Sequence, residues 1–139
     1  RSLESVYWYG VMLMNGESDF FISKLYPYQK NGTLPDKKTA LGAVLKYMDS
    51  RSLSALIGHT EIFIFPGYEF KIVNKIVTNF HMPGTTLVML IAAFCGPDWK
   101  RIYEEALKHD YRFLSFGDSS YLEPDLKKSY LPDHTITKK

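Results

Sequence analysis

Residues 71–86, KIVNKIVTNFHMPGTT, run straight into LVMLIAAFC, 87–95, and this stretch decides the fold. Ile72, Val73, Ile76 and Val77 are β-branched and predict a strand over 71–80. His81-Met82-Pro83-Gly84 reads as a tight turn, and Thr85 or Thr86 can cap a helix over 86–95. That helix is apolar all round, which predicts a central, buried position. Gly96-Pro97 breaks it. A strand that turns sharply into a helix gathers backbone N–H groups at the helix start, suited to an anion or carboxylate.

Working upstream, EIFIFPG, 61–67, reads as a buried strand that pairs with 71–80 as a hairpin around 66–70. Leu3, Val6, Tyr7, Gly10, Val11 and Met14 recur at helical spacing, so 2–14 reads as a helix that Asn15-Gly16 stops. Residues 19–28 read as a strand ending near Pro27, and 29–35, QKNGTLP, as a loop. A helix follows over 36–49, with Leu41, Val44, Leu45 and Met48 as its buried stripe. Downstream, 98–109 is an amphipathic helix with Trp99, Ile102, Tyr103, Ala106 and Leu107 on one face. FLSFG, 113–117, reads as the last strand, and 123–139 as a flexible polar tail. The order is helix, strand, helix, strand, strand, helix, helix, strand: a mixed α/β sheet with flanking helices.

The 139 residues are 45% hydrophobic and 23% charged, which excludes global disorder. A formal charge of +2 does not by itself mark a nucleic-acid binder. Aromatic residues are 15%, enough for a packed core or for surfaces that stack on flat ligands. Cys95 is the lone cysteine, so no disulfide forms within the chain, which fits a reducing, cytoplasmic setting. The apolar run at 87–95 falls far short of the roughly 20 residues of a membrane span, so no membrane partner is expected. His59, His81, His109 and His134 show no metal-ligand spacing, and no metal is expected. The chain opens on Arg1 inside a helical pattern and reads as a fragment.

Two segments carry the polar chemistry. In 78–86, Asn79 offers a carboxamide and His81 a proton carrier, or both satisfy backbone groups in a turn. In 111–118, Arg112 can fork onto a phosphate or carboxylate and Asp118 can meet a ribose or a proton. The same pair can equally form a salt bridge with a turn aspartate. Arg1 and Glu4, one helical turn apart, read as a solvated pair or as a site.

Taken in order, certain words resemble one family. They are Thr60-Glu61-Ile62-Phe63-Ile64 with Pro66-Gly67-Tyr68, Thr78-Asn79-Phe80-His81-Met82-Pro83, Ala93-Phe94 before Gly96, and Tyr111-Arg112-Phe113 leading to Ser115-Phe116-Gly117-Asp118. With the opening Arg1-Ser2-Leu3-Glu4-Ser5, they resemble the S-adenosylmethionine:tRNA ribosyltransferase-isomerases of queuosine biosynthesis. The resemblance implies transfer of the ribosyl part of S-adenosylmethionine to a 7-aminomethyl-7-deazaguanine in the tRNA wobble position, giving epoxyqueuosine. S-adenosylmethionine is then a substrate, and no cofactor or metal is implied. It implies catalytic roles for His81 and Asp118. Substrate binding is implied for Arg1, Glu4, Thr78, Asn79, Phe80, Tyr111, Arg112, Ser115, Phe116 and Gly117. The implied fold is a β-barrel-centred two-domain α/β architecture, of which 1–122 is the C-terminal part. Residues 6–59 then form an atypical, insertion-like segment, and the missing N-terminal half is a partner without which the piece is inactive. Gly84 stands where a basic residue is common and Phe116 where a tyrosine is usual. Those departures leave a catalytically degenerate RNA-binding or scaffolding paralogue as the alternative.

Pro124 and Pro132 punctuate a tail with few apolar anchors, so limited proteolysis is expected to trim 123–139. The melting temperature should barely move; a fall of several degrees would mean the tail packs.

Overall fold

A computed structural model describes residues 1–29 and 32–124. Most of the tail expected at 123–139 lies outside these residues. The described chain divides into two compact units: Arg1–Ile64 with Tyr68–Asn74, and Phe65–Gly67 with the described residues from Lys75 onward.

The first unit is built on helix α1, Ser2–Met14. The Arg1 carbonyl starts it by accepting the Ser5 N–H at 3.0 Å, and Asn15 ends it with its N–H on the Val11 and Met12 carbonyls. Tyr7, Trp8, Val11 and Met12 are buried, whereas Leu3 and Met14 are exposed. The buried face is therefore rotated from the expected stripe, towards Glu4 and Trp8. Strand β1 is Phe21–Ile22, a short helix α2 follows at Tyr26–Gln29, and helix α3 is Lys37–Ser50. Asp36 caps α3, accepting the Thr39 N–H at 2.9 Å. Ala40 and Val44 are the buried residues of α3, and Leu45, expected inside, is 61% exposed. The contact with α1 runs through small residues: Gly10 sits so close to the Ala40 carbonyl that a Cβ there would collide with it.

Strand β2, His59–Thr60, pairs parallel with β1 in the register Phe21↔His59 and Ile22↔Thr60. Beyond it the chain stays extended, Glu61 N–H donating to Ile22 O at 2.8 Å and Phe63 N–H to Lys24 O at 3.2 Å. Ile62 and Ile64 are buried there. Two expectations change. The strand over 19–28 shrinks to two residues because Tyr26–Gln29 turns helical. The 61–67 segment bonds the β1 side of the chain through Glu61 and Phe63, and among the described residues no ladder pairs it with 71–80.

In the second unit β3, Ile76–Asn79, pairs antiparallel with β4, Ser119–Leu122. The register is Ile76↔Leu122, Val77↔Tyr121, Thr78↔Ser120 and Asn79↔Ser119. β3 is shorter than expected because Lys71, Ile72 and Val73 give their N–H groups to Glu4. Helix α4, Thr86–Cys95, buries Val88, Ile91, Ala92 and Phe94 but leaves Leu87 and Met89 exposed, so it is covered on one face only. Helix α5 is Asp98–Lys108, with Tyr103 and Ala106 buried. The expected strand at 113–117 is instead a 3-10 turn, Leu114–Phe116, and the last strand follows it. Burial, helped by Asp98, pushes the Cys95 thiol up to about 11, so it stays protonated at neutral pH. Among the described residues no helix is long and apolar enough to cross a membrane.

The α1–α3 contact and an exposed glycine give opposite expectations for one substitution. Gly10→Ala should destabilise by about 1–3 kcal/mol, since the methyl meets backbone that cannot step aside. Gly42→Ala, where the same methyl meets nothing within 4 Å, should stabilise α3 by about 0.5–1 kcal/mol. Denaturant midpoints of the two variants check both signs.

Candidate active site

The two chemically dense segments of the sequence meet in the second unit. Leu114 N–H donates to the Phe80 carbonyl at 2.8 Å, and Ser119 Oγ donates to Asn79 Oδ1 at 3.0 Å. The β3–β4 ladder carries Thr78 opposite Ser120 and Asn79 opposite Ser119. Successive side chains of a strand point to opposite faces, so Thr78 and Asn79 serve different sides of the ribbon.

His81 follows β3 on the Thr78 side. Its Nε2 lies 2.9 Å from Thr78 Oγ1, and its backbone N–H donates to Tyr103 Oη at 3.2 Å. Phe80, between the two polar residues, is buried. Its ring meets Tyr103, Tyr111 and Phe113 with centroids 5.5, 5.7 and 5.5 Å away. Phe80 is thus a core hub, and Tyr111, 46% exposed, is the more open ring. Beside it a cleft of ≈ 270 Å³ is lined by Phe80, Arg101, Ile102, Glu105, Ala106, His109 and Tyr111. Thr85 heads α4, and its hydroxyl donates to Met82 O at 3.0 Å instead of capping the helix.

Asp118 pairs with Arg112. Its Oδ2 accepts the Arg112 N–H at 2.8 Å, and Oδ1 lies 3.4 Å from Nη2. The backbone N–H of Arg112, then its guanidinium, holds the Asp118 carboxyl below the usual carboxylate range. Ser115 is exposed in the 3-10 turn that Phe116 and Gly117 close. No hydrogen bond joins His81 to Asp118 among the described residues. No group of three or more His, Cys, Asp and Glu among them is arranged to hold a metal ion.

Arg1 and Glu4 belong to the first unit. Arg1 is exposed at the head of α1. Glu4 is 0% exposed and both its oxygens are taken. Oε2 accepts Tyr68 Oη–H at 2.8 Å and Lys71 N–H at 2.9 Å; Oε1 accepts Ile72 N–H at 2.9 Å and Val73 N–H at 2.8 Å. Tyr68 in turn accepts Trp8 Nε1–H at 2.8 Å. Burial raises the Tyr68 phenol above its ordinary value, the Trp8 donor works against that, and the Glu4 charge adds to it. The sequence reading missed this clasp. Its signal is present: Glu4 lies in line with Tyr7, Trp8 and Val11 at helical spacing, on the buried side of α1.

The sequence model of the family described as "Queuosine biosynthesis protein" matches residues 37–122. The chain belongs to this family. The match takes in 37–59, a part of the segment that the resemblance left outside. The S-adenosylmethionine:tRNA ribosyltransferase-isomerase of Chlorobaculum parvum is 48% identical over 81 residues, covering 58% of this chain and 24% of the relative. The enzyme of the same name from Cereibacter sphaeroides is 44% identical over 92 residues, covering 66% and 27%. A solved S-adenosylmethionine tRNA ribosyltransferase from Thermotoga maritima is 44% identical with a TM-score of 0.46, covering 58% of this chain and 30% of that one. The chain spans about a quarter of the length of the curated relatives it matches.

The clasp makes Glu4→Gln a sharp test. The amide nitrogen would face N–H donors and leave buried donors without an acceptor. A loss of about 2–4 kcal/mol in unfolding free energy is expected, read from the denaturant midpoint. A change under about 0.5 kcal/mol would mean that the clasp carries no weight.

Proposed function

We propose that this chain forms part of an S-adenosylmethionine:tRNA ribosyltransferase-isomerase of queuosine biosynthesis. It would move the ribosyl part of S-adenosylmethionine onto a 7-aminomethyl-7-deazaguanine wobble base, giving epoxyqueuosine. Its substrates are then S-adenosylmethionine and tRNA, its setting cytoplasmic, and its fold the C-terminal portion of a β-barrel-centred two-domain architecture. The rest of that architecture supplies the remaining walls of the substrate cleft. Membership of the family favours this reading over a degenerate scaffold.

The observation that carries the reading is the setting of His81. The reaction needs a base near the sulfonium and groups that hold the sugar and the departing adenine. Thr78 Oγ1 also lies 3.4 Å from the Asn79 carbonyl, a weak but available acceptor. With the hydroxyl proton aimed there, Thr78 accepts from Nε2–H of His81. That tautomer leaves Nδ1, which carries no hydrogen bond among the described residues, as the basic nitrogen. Asn79, Arg112 and Ser115 are the polar contacts for the substrate in this reading. Tyr111, beside the cleft, is the ring on which a purine stacks.

Replacing His81 with Asn keeps a polar side chain of similar reach and removes proton transfer near neutral pH. Adenine release from S-adenosylmethionine by the full-length enzyme with its tRNA substrate should fall by about 10²–10⁴-fold. The denaturant midpoint should change by no more than about 1–2 kcal/mol, since one side-chain hydrogen bond is disturbed. A near-normal rate with a large midpoint loss would make His81 a structural turn residue.

A further inference from the structure

Residues 112–118 close on themselves as a strap. Arg112 N–H donates to Asp118 Oδ2, and Asp118 N–H donates to the Arg112 carbonyl, each at 2.8 Å. Inside the strap Gly117 N–H donates to Leu114 O at 3.0 Å. Gly117 packs so tightly on the Arg112 carbonyl and Phe113 that no Cβ fits. Leu114 stands at φ 67, a left-handed conformation that a leucine adopts only when its surroundings impose it. The strap is tied to the 78–81 turn at two points. Leu114 bonds the carbonyl of Phe80, the neighbour of His81, and Ser119, the neighbour of Asp118, bonds Asn79.

Each Asp118 oxygen faces Arg112, through its backbone N–H on one side and its guanidinium on the other. We propose that Asp118 is a positioning residue. By closing the strap through the Arg112 backbone, it holds the Arg112 guanidinium and Ser115 in register with His81, and it touches no reacting atom. This rests on the ribosyltransferase reading. The Arg112 side chain is largely exposed, and its contact with Asp118 is long, so most of its donor fork is left for a substrate oxygen.

Two substitutions separate geometry from charge. Asp118→Asn keeps an oxygen at the distance that accepts the Arg112 N–H and removes the acid. Asp118→Glu keeps the acid and moves it by one methylene. In the full-length enzyme, with adenine release followed against pH, the Asn variant should stay within about tenfold of wild type. The Glu variant should lose on the order of 10²-fold, the usual cost of a misplaced site. Both should keep the acid-side limb of the wild-type pH profile. Hydrogen exchange at the Arg112 amide should stay slow in the Asn variant and quicken in the Glu variant. A reversed order of rates, loss of the limb in the Asn variant, wild-type rates in both, or equal Arg112 protection in both would overturn the proposal. Wild-type enzyme that releases no adenine defeats the ribosyltransferase reading instead, and the exchange pair still reads whether Asp118 closes the strap.

Discussion

A carboxylate taken wholly out of water has to be answered by donors, and in the first unit that demand falls on Glu4. An uncompensated buried charge costs several kcal/mol, more than a small unit can spare. Three consecutive backbone N–H groups and one phenol answer it. That arrangement has consequences along the chain. Residues 71–73 cannot join a sheet ladder while their N–H groups converge on Glu4, so the strand begins only at Ile76. Tyr68 is oriented to donate to Glu4 and accept from Trp8, which lets a tryptophan go into the core with its N–H satisfied. With Glu4 and Trp8 inward, the rotation of α1 is settled. The same rotation turns Gly10 to Ala40, where α3 can approach closely.

The second unit solves a different problem, that of keeping polar groups accessible beside an apolar core. Phe80 is the solution. Full burial of its ring is worth about 1.5–3 kcal/mol, and three aromatic neighbours hold it from different sides. A residue pinned so firmly fixes the direction of the chain on either side. Asn79 is left to meet Ser119, and His81 is left to meet Thr78. The polar groups inherit their positions from the hydrophobic residue between them.

Much of this was legible in the sequence. The three long amphipathic helices declare themselves by period, since a core-facing stripe needs apolar residues every three or four positions. The order of helices and strands follows too, apart from extra turns at Tyr26–Gln29 and at Leu114–Phe116, the second standing where the last strand was expected. Burial was less legible. The apolar α4 leaves Leu87 and Met89 exposed, because hydrophobicity records what a surface would gain from cover and not whether cover is present. Strands were read worst. EIFIFPG has the composition of a strand, but its hydrogen bonds go to Ile22 and Lys24, partners far back in the chain that no local pattern names. FLSFG looks like a strand as well, yet Leu114 turns left-handed, and the polar Ser119–Leu122 segment makes the ladder. Of the site, the pairing of Arg112 with Asp118 was one of the two arrangements that their spacing allowed. The bond from His81 to Thr78 needed the turn geometry, and Glu4 needed the fold of the 68–74 segment.

Glu4 and His81 differ in how far their contacts reach along the chain. Glu4 is buried, and the four donors of its clasp lie 64 to 69 residues away, so its carboxylate is bound up with the fold. Protonating it would strip an acceptor from the donors that hold the 68–74 segment to α1. His81 bonds a residue three positions away and sits at a partly open turn. The imidazole contact is local, and the Phe80 cluster is held by ring contacts of its own. Under the proposed function a proton carrier has to be of this second kind, because a cycle that unfastened part of the core each time would add the cost of reordering it to the barrier. The sequence therefore separates a carboxylate whose contacts reach across the fold from an imidazole whose side-chain contact stays within its own turn.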